Sequence, residues 1–527
     1  MVAFEALAPA DSFRVVPVRV WTGGRILTMD AAAPSPEALV VTDGRIADVG
    51  ERGLLARYPD ADVVDLAGRT LIPGLIDAHY HLCIAALHPR WADLTGATAD
   101  DVGERIRAQS AREPEAGWIR AVQWDHTALR LKRGDLDALG LDRPILVASF
   151  SLHRCVVCSR GLDELGIGRE TPDPAGGQIK RGSDGEPTGV LVETAWSEAQ
   201  ARSLEPYADP DQWAEHIEAH ARLLWQDGVT AVHDAATPPA AEAVYRSLAA
   251  AGRLPVSVLG MPHPPELQSR PDRRRLDAGP VTGEGDEIFR IGAVKLFADG
   301  GSDPAVDAHV GGQHVQTGHL VPGLAEGVAA ATERGYRVAI HAMGNAGMAA
   351  ALDALRQAAR REDGDHRFRI DHATCLSPGQ AANLAELGGS AIVQPGFIDL
   401  MGPALEPIAF DDVVWLPFAE LKETGVALAG SSDHPCAPGG PLVRSCTGAT
   451  RRIPGGGILG ADQALAYDDW LHAYTAGAAR AGGQENERGS LRPGLRADLV
   501  VLEGDMDPAD PPRVVETWIG GERVWRA

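Results

Sequence analysis

Several sequence features are rare or absent in this chain, and each of these absences argues against one class of protein. No stretch approaches the ~18 consecutive apolar residues of a membrane-spanning helix, and residues 1–19 lack the apolar core of a signal peptide. Basic residues number 49 against 73 acidic ones, which gives a formal net charge of −24. A surface this acidic repels phosphate backbones and anionic lipids. We therefore expect neither nucleic acid nor membrane as a partner.

Cysteine is also scarce, and the six cysteines are scattered through 527 residues. Cys155 and Cys158 form a lone C-x-x-C in a strand-like segment, without the second pair of a typical zinc site. We expect these two thiols to be structural, although a metal or redox role stays open. The cysteine usage fits a reducing cytoplasm.

The chain is long enough for two or three structural units. Both ends carry short strand patterns separated by turn pairs such as Gly-Gly and Asp-Gly, of which Thr42-Asp43-Gly44-Arg45 is a strong hairpin signal. A sheet piece at each end can pair into one domain, with everything else inserted between them. We predict a composite β-sandwich from residues 1–72 and 485–527.

Between the ends, apolar strand patterns alternate with amphipathic helical ones. This alternation predicts an α/β fold with a parallel sheet, and the units suffice for a (β/α)8 TIM barrel over residues 73–484. The segment of about 85–204 is too long for one barrel loop, so it is predicted to be an inserted subdomain near the site. The predicted strands are Thr230–His233, Val256–Leu259, Gly292–Phe297, Arg337–His341, Phe368–His372, Ser390–Gln394 and Val426–Ala429.

The most informative motif is Asp77-Ala78-His79-Tyr80-His81, which directly follows an apolar run. Side chains two apart on a strand point to the same face, so His79 and His81 share a face. If that face looks into a barrel, the two imidazoles converge as a divalent metal such as zinc requires. A bare His-x-His also fits a pair of surface or core histidines.

Four more polar residues stand at or near the ends of separate predicted strands. Lys295 lies in an apolar strand, where a lysine is costly unless it is paired or modified. His341, His372 and Asp433 each follow an apolar run. Taken singly, they are also compatible with core histidines and a helix cap. Together they mark the face where barrel enzymes build their sites.

These motifs give the chain a resemblance to the amidohydrolase superfamily, in particular to its amidohydrolase-3 (YtcJ-like) branch. The resemblance covers nearly the whole chain, and the segment Pro73–Leu82 is the most specific match. It implies a distorted (β/α)8 barrel with a small β-sandwich built from both chain ends. The other matching segments are Asp43–Ile46, Trp124–Asp125, Gly176–Ile179, Pro187–Gly189, Val294–Gly300, Ile340–Gly344, Arg369–Ala373, Gly430–Asp433 and Gly489–Gly494.

The resemblance implies a centre of one or two divalent ions, with zinc expected. A CO2-derived carbamate on Lys295 would bridge the ions and turn a costly buried cation into a shared anion. Asp433 would also be the catalytic base. The implied ligands are His79, His81 and Asp433 for one ion, His341 and His372 for the second, and carboxylated Lys295 for both.

The chain departs from the branch near the expected substrate pocket. Asn345 stands where the branch usually has aspartate, and Asp371 stands where it usually has glutamate. Trp124, His153 and Asp299 are predicted as substrate contacts, with purely structural roles as the alternative.

The predicted activity is metal-dependent hydrolysis of a carbon–nitrogen bond other than a peptide bond, with N-formyl and N-acyl amines as the first substrates. The alternatives are a metal-dependent lyase, hydratase, isomerase, decarboxylase or esterase on the same barrel, since a fold does not fix the reaction. A non-catalytic scaffold is disfavoured because all six ligand candidates are present. The partners expected are a small-molecule substrate and, because relatives are commonly dimeric, a second copy of the chain.

Overall fold

The computed structural model describes residues 18–263, 277–360 and 368–527, and its architecture is mixed α/β. The first 17 residues of the predicted β-sandwich lie outside the described residues. Within the described ranges, no helix is both long and apolar enough to cross a membrane.

Two parallel sheets carry the buried strands of the central region. Their strands are near-continuous apolar runs because both faces of a parallel sheet are covered. In spatial order, the first sheet contains Phe289–Ile291, Ser257–Pro262, Val229–Thr237 and Leu75–Tyr80. The second contains Val294–Phe297, Val338–Ala342, Arg369–His372, Ser390–Val393 and Ala427–Gly430.

The two sheets approach each other at both of their edges. Strands Phe289–Ile291 and Val294–Phe297 are consecutive in the chain, separated by Gly292 and Ala293. At the opposite edges, a parallel bridge joins Tyr80 to His434. The carboxyl ends of the strands of both sheets therefore face one region.

Segments from the two chain ends pair in one sheet. Thr70–Pro73 pairs antiparallel with Leu499–Glu503, and a neighbouring sheet contributes to the same apolar cluster, where the Trp21 and Trp518 rings meet edge to face at 5.2 Å. The first sheet contains Arg25–Ile26, Thr70–Pro73, Leu499–Glu503, Arg513–Ile519 and Glu522–Arg526, and the second contains Arg45–Gly50, Ala38–Thr42, Arg19–Thr22 and Asp62–Asp65.

The predicted insertion has a six-stranded sheet of its own. The C-x-x-C thiols lie within it: Cys155 is in a strand, and the sulfur of Cys158 accepts N–H bonds from Ile145 and Gly161. Both thiols are free and buried. The strands are Gly177–Arg181, Pro187–Glu193, Arg154–Val157, Ile145–Ser149, Ile119–Trp124 and Ala92–Asp93.

Amphipathic helices cover the parallel sheets. In Asn345–Ala359, for example, Leu352 and Leu355 are buried three residues apart on one face. The larger helices are Ala99–Arg112, Thr194–Leu204, Pro210–Leu223, Pro239–Ala250, Leu324–Glu333, Asn345–Ala359, Gln380–Glu386, Phe397–Leu405, Phe418–Glu423, Pro441–Thr450, Tyr467–His472 and Ala478–Gly482. A hairpin, Val306–Val310 with Gln313–Thr317, lies in the Gly300–Gly323 loop.

Candidate metal centre and active site

The six ligand candidates lie in or just after five of the parallel strands, at one face of the two sheets. All except His81 are buried, and the His81 side chain is 17% exposed. They are His79 in Leu75–Tyr80 and His81 directly after it, Lys295 in Val294–Phe297, His341 in Val338–Ala342, His372 at the end of Arg369–His372, and Asp433 after Ala427–Gly430.

The tightest group consists of His79, His372 and Asp433. One ligand atom from each lies within 4.8 Å of the other two, so a single ion could contact all three. His79 Nε2 lies 3.2 Å from Asp433 Oδ1, and His81 Nε2 lies 3.1 Å from the same oxygen. The resemblance implies that His79 and Asp433 bind one ion and that His372 binds a second ion. The geometry differs from this, because it groups His372 with His79 and Asp433.

The electrostatics of this group suit cation binding at neutral pH. Burial alone would raise the pKa of the Asp433 carboxyl, but His79 and the hydrogen bonds from His79 and His81 bring that pKa well below its ordinary value. Burial also holds the pKa values of His341 and His372 well below 6.5. His341 and His372 are thus neutral beside an ionised carboxylate, and these are the forms that bind metal. Burial works against a raised pKa at His79, but Asp371 and Asp433 raise that pKa overall.

Second hydrogen bonds orient two of the imidazoles. The Nδ1 of His81 donates to the carbonyl oxygen of Ala235 at 3.0 Å, and the Nδ1 of His372 lies 3.1 Å from the Gln394 Oε1. Such partners fix the ring and leave Nε2 for a metal. The backbone is also unusual here, because φ is +80° at His372 and +54° at Asp433. Positive φ in non-glycine residues is costly, and it clusters at functional sites.

The donor set fits a divalent ion of the zinc type. Three or more imidazoles with a carboxylate are common zinc ligands. In addition, Nε2 of His341 is buried and has no hydrogen-bond partner among the described residues, where the nearest carboxylate oxygen, on Asp299, is 3.9 Å away. An unpaired buried polar atom is costly, so an ion would satisfy a group that the protein leaves open.

Lys295 belongs to a buried charge network beneath this group. Its Nζ contacts Asp371 Oδ2, which also lies 3.0 Å from His79 Nδ1, and Arg369 Nε donates to Asp371 Oδ1 at 2.8 Å. Burial lowers the pKa of the Lys295 ammonium, and Asp371 works against that shift. Asp371, the departure from the branch, is therefore the anion shared by two buried cations.

Two of the three residues predicted as substrate contacts, Trp124 and Asp299, have hydrogen-bond partners within the protein. Trp124 does not line the cavity above the metal-ligand candidates; it is buried, and its Nε1 donates to the carbonyl oxygen of Leu129 at 2.7 Å. Asp299 does line the cavity, but its carboxylate accepts backbone N–H bonds from Ala305, Met343 and Gly344 at 2.8–2.9 Å. Local patterns could not reveal the Met343 and Gly344 partners of Asp299, because these residues come from a distant segment.

The third predicted contact, His153, lines a cavity of about 390 Å³ above the ligand candidates. Sequence reasoning missed two other titratable residues there, Glu193 and His263. His263 directly follows the strand Ser257–Pro262, so the strand-end pattern could have indicated it; burial lowers its pKa to about 4. The apolar wall is formed by Ile84, Trp196, Leu204, Pro238, Pro239 and Val321.

Comparison with known protein families identifies one whose model matches most of the chain. The model of the amidohydrolase family Amidohydro_3 matches residues 62–525. The chain belongs to the amidohydrolase family. It is therefore a metal-dependent hydrolase that acts on carbon–nitrogen bonds other than peptide bonds, with small molecules as substrates.

Individual relatives agree with this assignment. The amidohydrolase is 33% identical over 511 residues to the N-substituted formamide deformylase of Arthrobacter pascens, covering 92% of this chain and 93% of that protein. It is 28% identical over 545 residues to the putative amidohydrolase YtcJ of Bacillus subtilis strain 168, covering 96% and 99%. An uncharacterized metal-dependent hydrolase from Pyrococcus horikoshii OT3 shares the fold, with a TM-score of 0.72, 24% identity, and coverage of 93% of this chain and 98% of that one.

Proposed function

We propose that this amidohydrolase is a zinc-dependent enzyme that releases an amine from an N-formyl or N-acyl amine. The observation that carries the proposal is the group of His79, His372 and Asp433 at the base of a cavity that has an apolar wall on one side and the polar residues His153 and Glu193 beside the group. The 33% identity with a formamide deformylase supports the choice of bond.

The candidate ligands for the ion or ions are His79, His81, His341, His372 and Asp433, together with Lys295 in its carboxylated form. A bound divalent ion would supply Lewis acidity, lowering the pKa of a water ligand and polarising a carbonyl. The tight group supports a primary ion on His79, His372 and Asp433, and the buried Nε2 of His341, which has no partner in the described parts of the chain, supports a second.

Asp433 is the proposed proton carrier. It is ionised at neutral pH, and its Oδ1 lies 3.2 Å from His79 Nε2 and 3.1 Å from His81 Nε2, so it is held at the edge of the cavity. It would take a proton from the attacking water and deliver it to the leaving amine. Because an amide nitrogen is a poor leaving group until it is protonated, this delivery is required for C–N cleavage.

Lys295 is proposed to become carboxylated when the enzyme is loaded with metal. Its neutral amine would attack CO2 and release one proton, and burial favours the neutral amine. The lysine would have to leave Asp371 to reach the ions. With 13C-labelled bicarbonate, loaded protein should show a carbamate carbon resonance that a Lys295→Met variant lacks.

The proposed architecture follows from the same resemblance. The two parallel sheets would together form the distorted barrel over residues 73–484, with 85–204 inserted, and residues 1–72 and 485–527 would form the β-sandwich. The shared apolar cluster at the chain ends and the edge-to-edge approach of the parallel sheets support this division. A cytoplasmic homodimer is part of the proposal; the six free thiols fit a reducing compartment.

The test is amine release from a panel of N-formyl, N-acetyl and N-carbamoyl amines by zinc-loaded enzyme. The matched control is Asp433→Asn, which preserves size and removes the charge. Release by wild type that disappears in the variant supports the proposal and shows which acyl group fits. No release from any member of the panel, with zinc bound, would contradict it and favour a lyase or an esterase.

A further inference from the structure

A second pair of polar side chains faces the cavity beside the metal-ligand candidates. His153 Nδ1 lies 2.6 Å from Glu193 Oε2, and the two side chains are 18% and 8% exposed. Both line the cavity, and the ring centroid of His153 is 5.1 Å from that of His341. A hydrogen-bonding group at this position would reach a substrate bound at the metal centre.

The insertion holds the pair by its backbone. His153 directly precedes the strand Arg154–Val157, and Glu193 ends the strand Pro187–Glu193, to which that strand pairs antiparallel. The Glu193 N–H donates to the carbonyl oxygen of His153 at 2.8 Å. Glu193 itself has a φ of +52°, a costly conformation for a residue with a side chain.

A glycine pair from the other side of the cavity closes on both side chains. A Cβ atom at Gly301 would lie 2.2 Å from His153 Nε2 and 2.3 Å from Cδ2, so the backbone passes over the imidazole ring. A Cβ at Gly300 would lie 2.8 Å from Glu193 Oε1, and the N–H of Ser302 donates to that oxygen at 3.3 Å. The ring is therefore confined between the carboxylate and this loop.

The carboxylate decides which nitrogen of His153 carries the proton in the neutral ring. An ionised carboxylate can only accept, so the short Glu193 contact places the proton on Nδ1; the Gly301 N–H approaches the same nitrogen at the longer distance of 3.3 Å. In this neutral ring Nε2 is an acceptor. It has no hydrogen bond to any other residue in the described parts of the chain. Although burial lowers the pKa of His153, Glu193 raises it overall, so the neutral ring is the form present at alkaline pH.

We propose that Nε2 of His153 accepts the N–H of the scissile amide, and that Glu193 and Gly301 are positioning residues that fix this acceptor. The inference rests on the proposed function and narrows its substrate class. Secondary amides, with one substituent on nitrogen, carry the required N–H, whereas N,N-disubstituted amides do not. Leaving a buried acceptor unpaired is costly, so wild type should prefer the secondary amide by about 10- to 100-fold in kcat/KM.

The experiment measures kcat/KM for a secondary formamide and its N-methyl derivative, with zinc-loaded protein. His153→Leu keeps the bulk and removes the acceptor, whereas His153→Gln retains an acceptor oxygen. We expect the preference for the secondary amide to fall to near unity in His153→Leu and to persist in part in His153→Gln. Because both variants are compared as ratios between two substrates, a partial loss of folded protein cancels.

Positioning is tested by Gly301→Ala, with Gly168→Ala as the matched control, since a Cβ at Gly168 meets no neighbour within 4 Å. Gly301→Ala should reduce the ratio of kcat/KM between the secondary and the N-methylated formamide, and Gly168→Ala should leave that ratio unchanged. Glu193→Ala should lose the preference for the secondary amide, and Glu193→Asp should retain part of it. Equal rates on both substrates in wild type, or an unchanged ratio in His153→Leu, would overturn the inference while leaving the amidohydrolase activity intact. No release from either substrate by wild type would overturn the proposed function and the inference with it.

Discussion

Replacing Asp371 with asparagine tests the buried charge network beneath the metal centre. The Asp371 side chain is fully buried, and it neutralises Lys295 and Arg369, whose side chains are each 2% exposed. The substitution keeps the shape of the side chain but leaves two buried cations without their anion. Breaking a buried ion pair from one side costs about 3–5 kcal/mol, because the remaining charge is uncompensated.

That cost converts into a measurable shift in melting temperature. The entropy of unfolding is about 2.1 cal/mol/K per residue, so for a chain of 527 residues unfolding in one transition it is about 1.1 kcal/mol/K. We therefore expect Tm of metal-free Asp371→Asn to fall by about 3–5 °C.

The matched control is Asp353→Asn, at an exposed pair with Arg356 in which the carboxylate side chain is 69% exposed. Exposed pairs contribute about 0–1 kcal/mol, so this variant should melt within about 1 °C of wild type. Differential scanning calorimetry compares the Tm values of metal-free wild type, Asp371→Asn and Asp353→Asn. Equal Tm values for the two variants, or a rise for Asp371→Asn, would refute the network and indicate that Lys295 does not carry a cation there.

Further predictions concern the metal, the proton carrier and acid stability. Asp433→Asn should lower kcat at least about 100-fold while retaining the far-UV spectrum, because it removes the general base; a rate near that of wild type would exclude Asp433 from that role. His372→Ala should retain less zinc after dialysis than wild type, measured by atomic emission, whereas His309→Ala, from an exposed histidine–aspartate pair, should retain the same amount. Burial lowers the pKa of His88 to about 3, with smaller contributions from the charges of Arg120 and His220. Burial also lowers the pKa of His220 to about 4. As the pH falls, the unfolded chain binds these protons first, near pH 6.5, so the contribution of both histidines to stability is complete above that pH. The free energy of unfolding should fall as the pH drops toward the pKa values of the folded protein, by about 2 kcal/mol for each histidine at pH 5. A free energy of unfolding that does not change between pH 7 and pH 5 would contradict this prediction.

Local patterns in the sequence were enough to predict most of the central strands and to indicate the ligand candidates. The strand Arg369–His372 was predicted as Phe368–His372; Lys295 was indicated as a charge inside an apolar strand, and the other candidates by an apolar run that stops at a polar residue. The central strand Phe289–Ile291 was not predicted, and among the predicted ones the largest difference is Val229–Thr237, which continues past the predicted end at His233. The extension includes the buried Asp234, whose carboxylate accepts from the Tyr245 hydroxyl at 3.0 Å, a partner that no local pattern reveals.

The contacts between distant segments could not be predicted in the same way. Asp371 was noted only as a departure from a family pattern, yet it joins Lys295 and Arg369. Glu193 lies 40 residues from His153, and only the pairing of their strands brings the two together. The grouping of ligands around one ion likewise depends on how the strand ends converge, which is a property of the folded sheets and of no single segment.

The central claim is that water, activated at the group of His79, His372 and Asp433, cleaves a carbon–nitrogen bond. The most direct measurement is turnover of an N-formyl amine in 18O-labelled water, with mass analysis of the acid released. Hydrolysis predicts one labelled oxygen in each formate, formed in step with the amine and absent with Asp433→Asn. Amine release without label in the acid, or label that persists at the same rate in Asp433→Asn, would contradict the account.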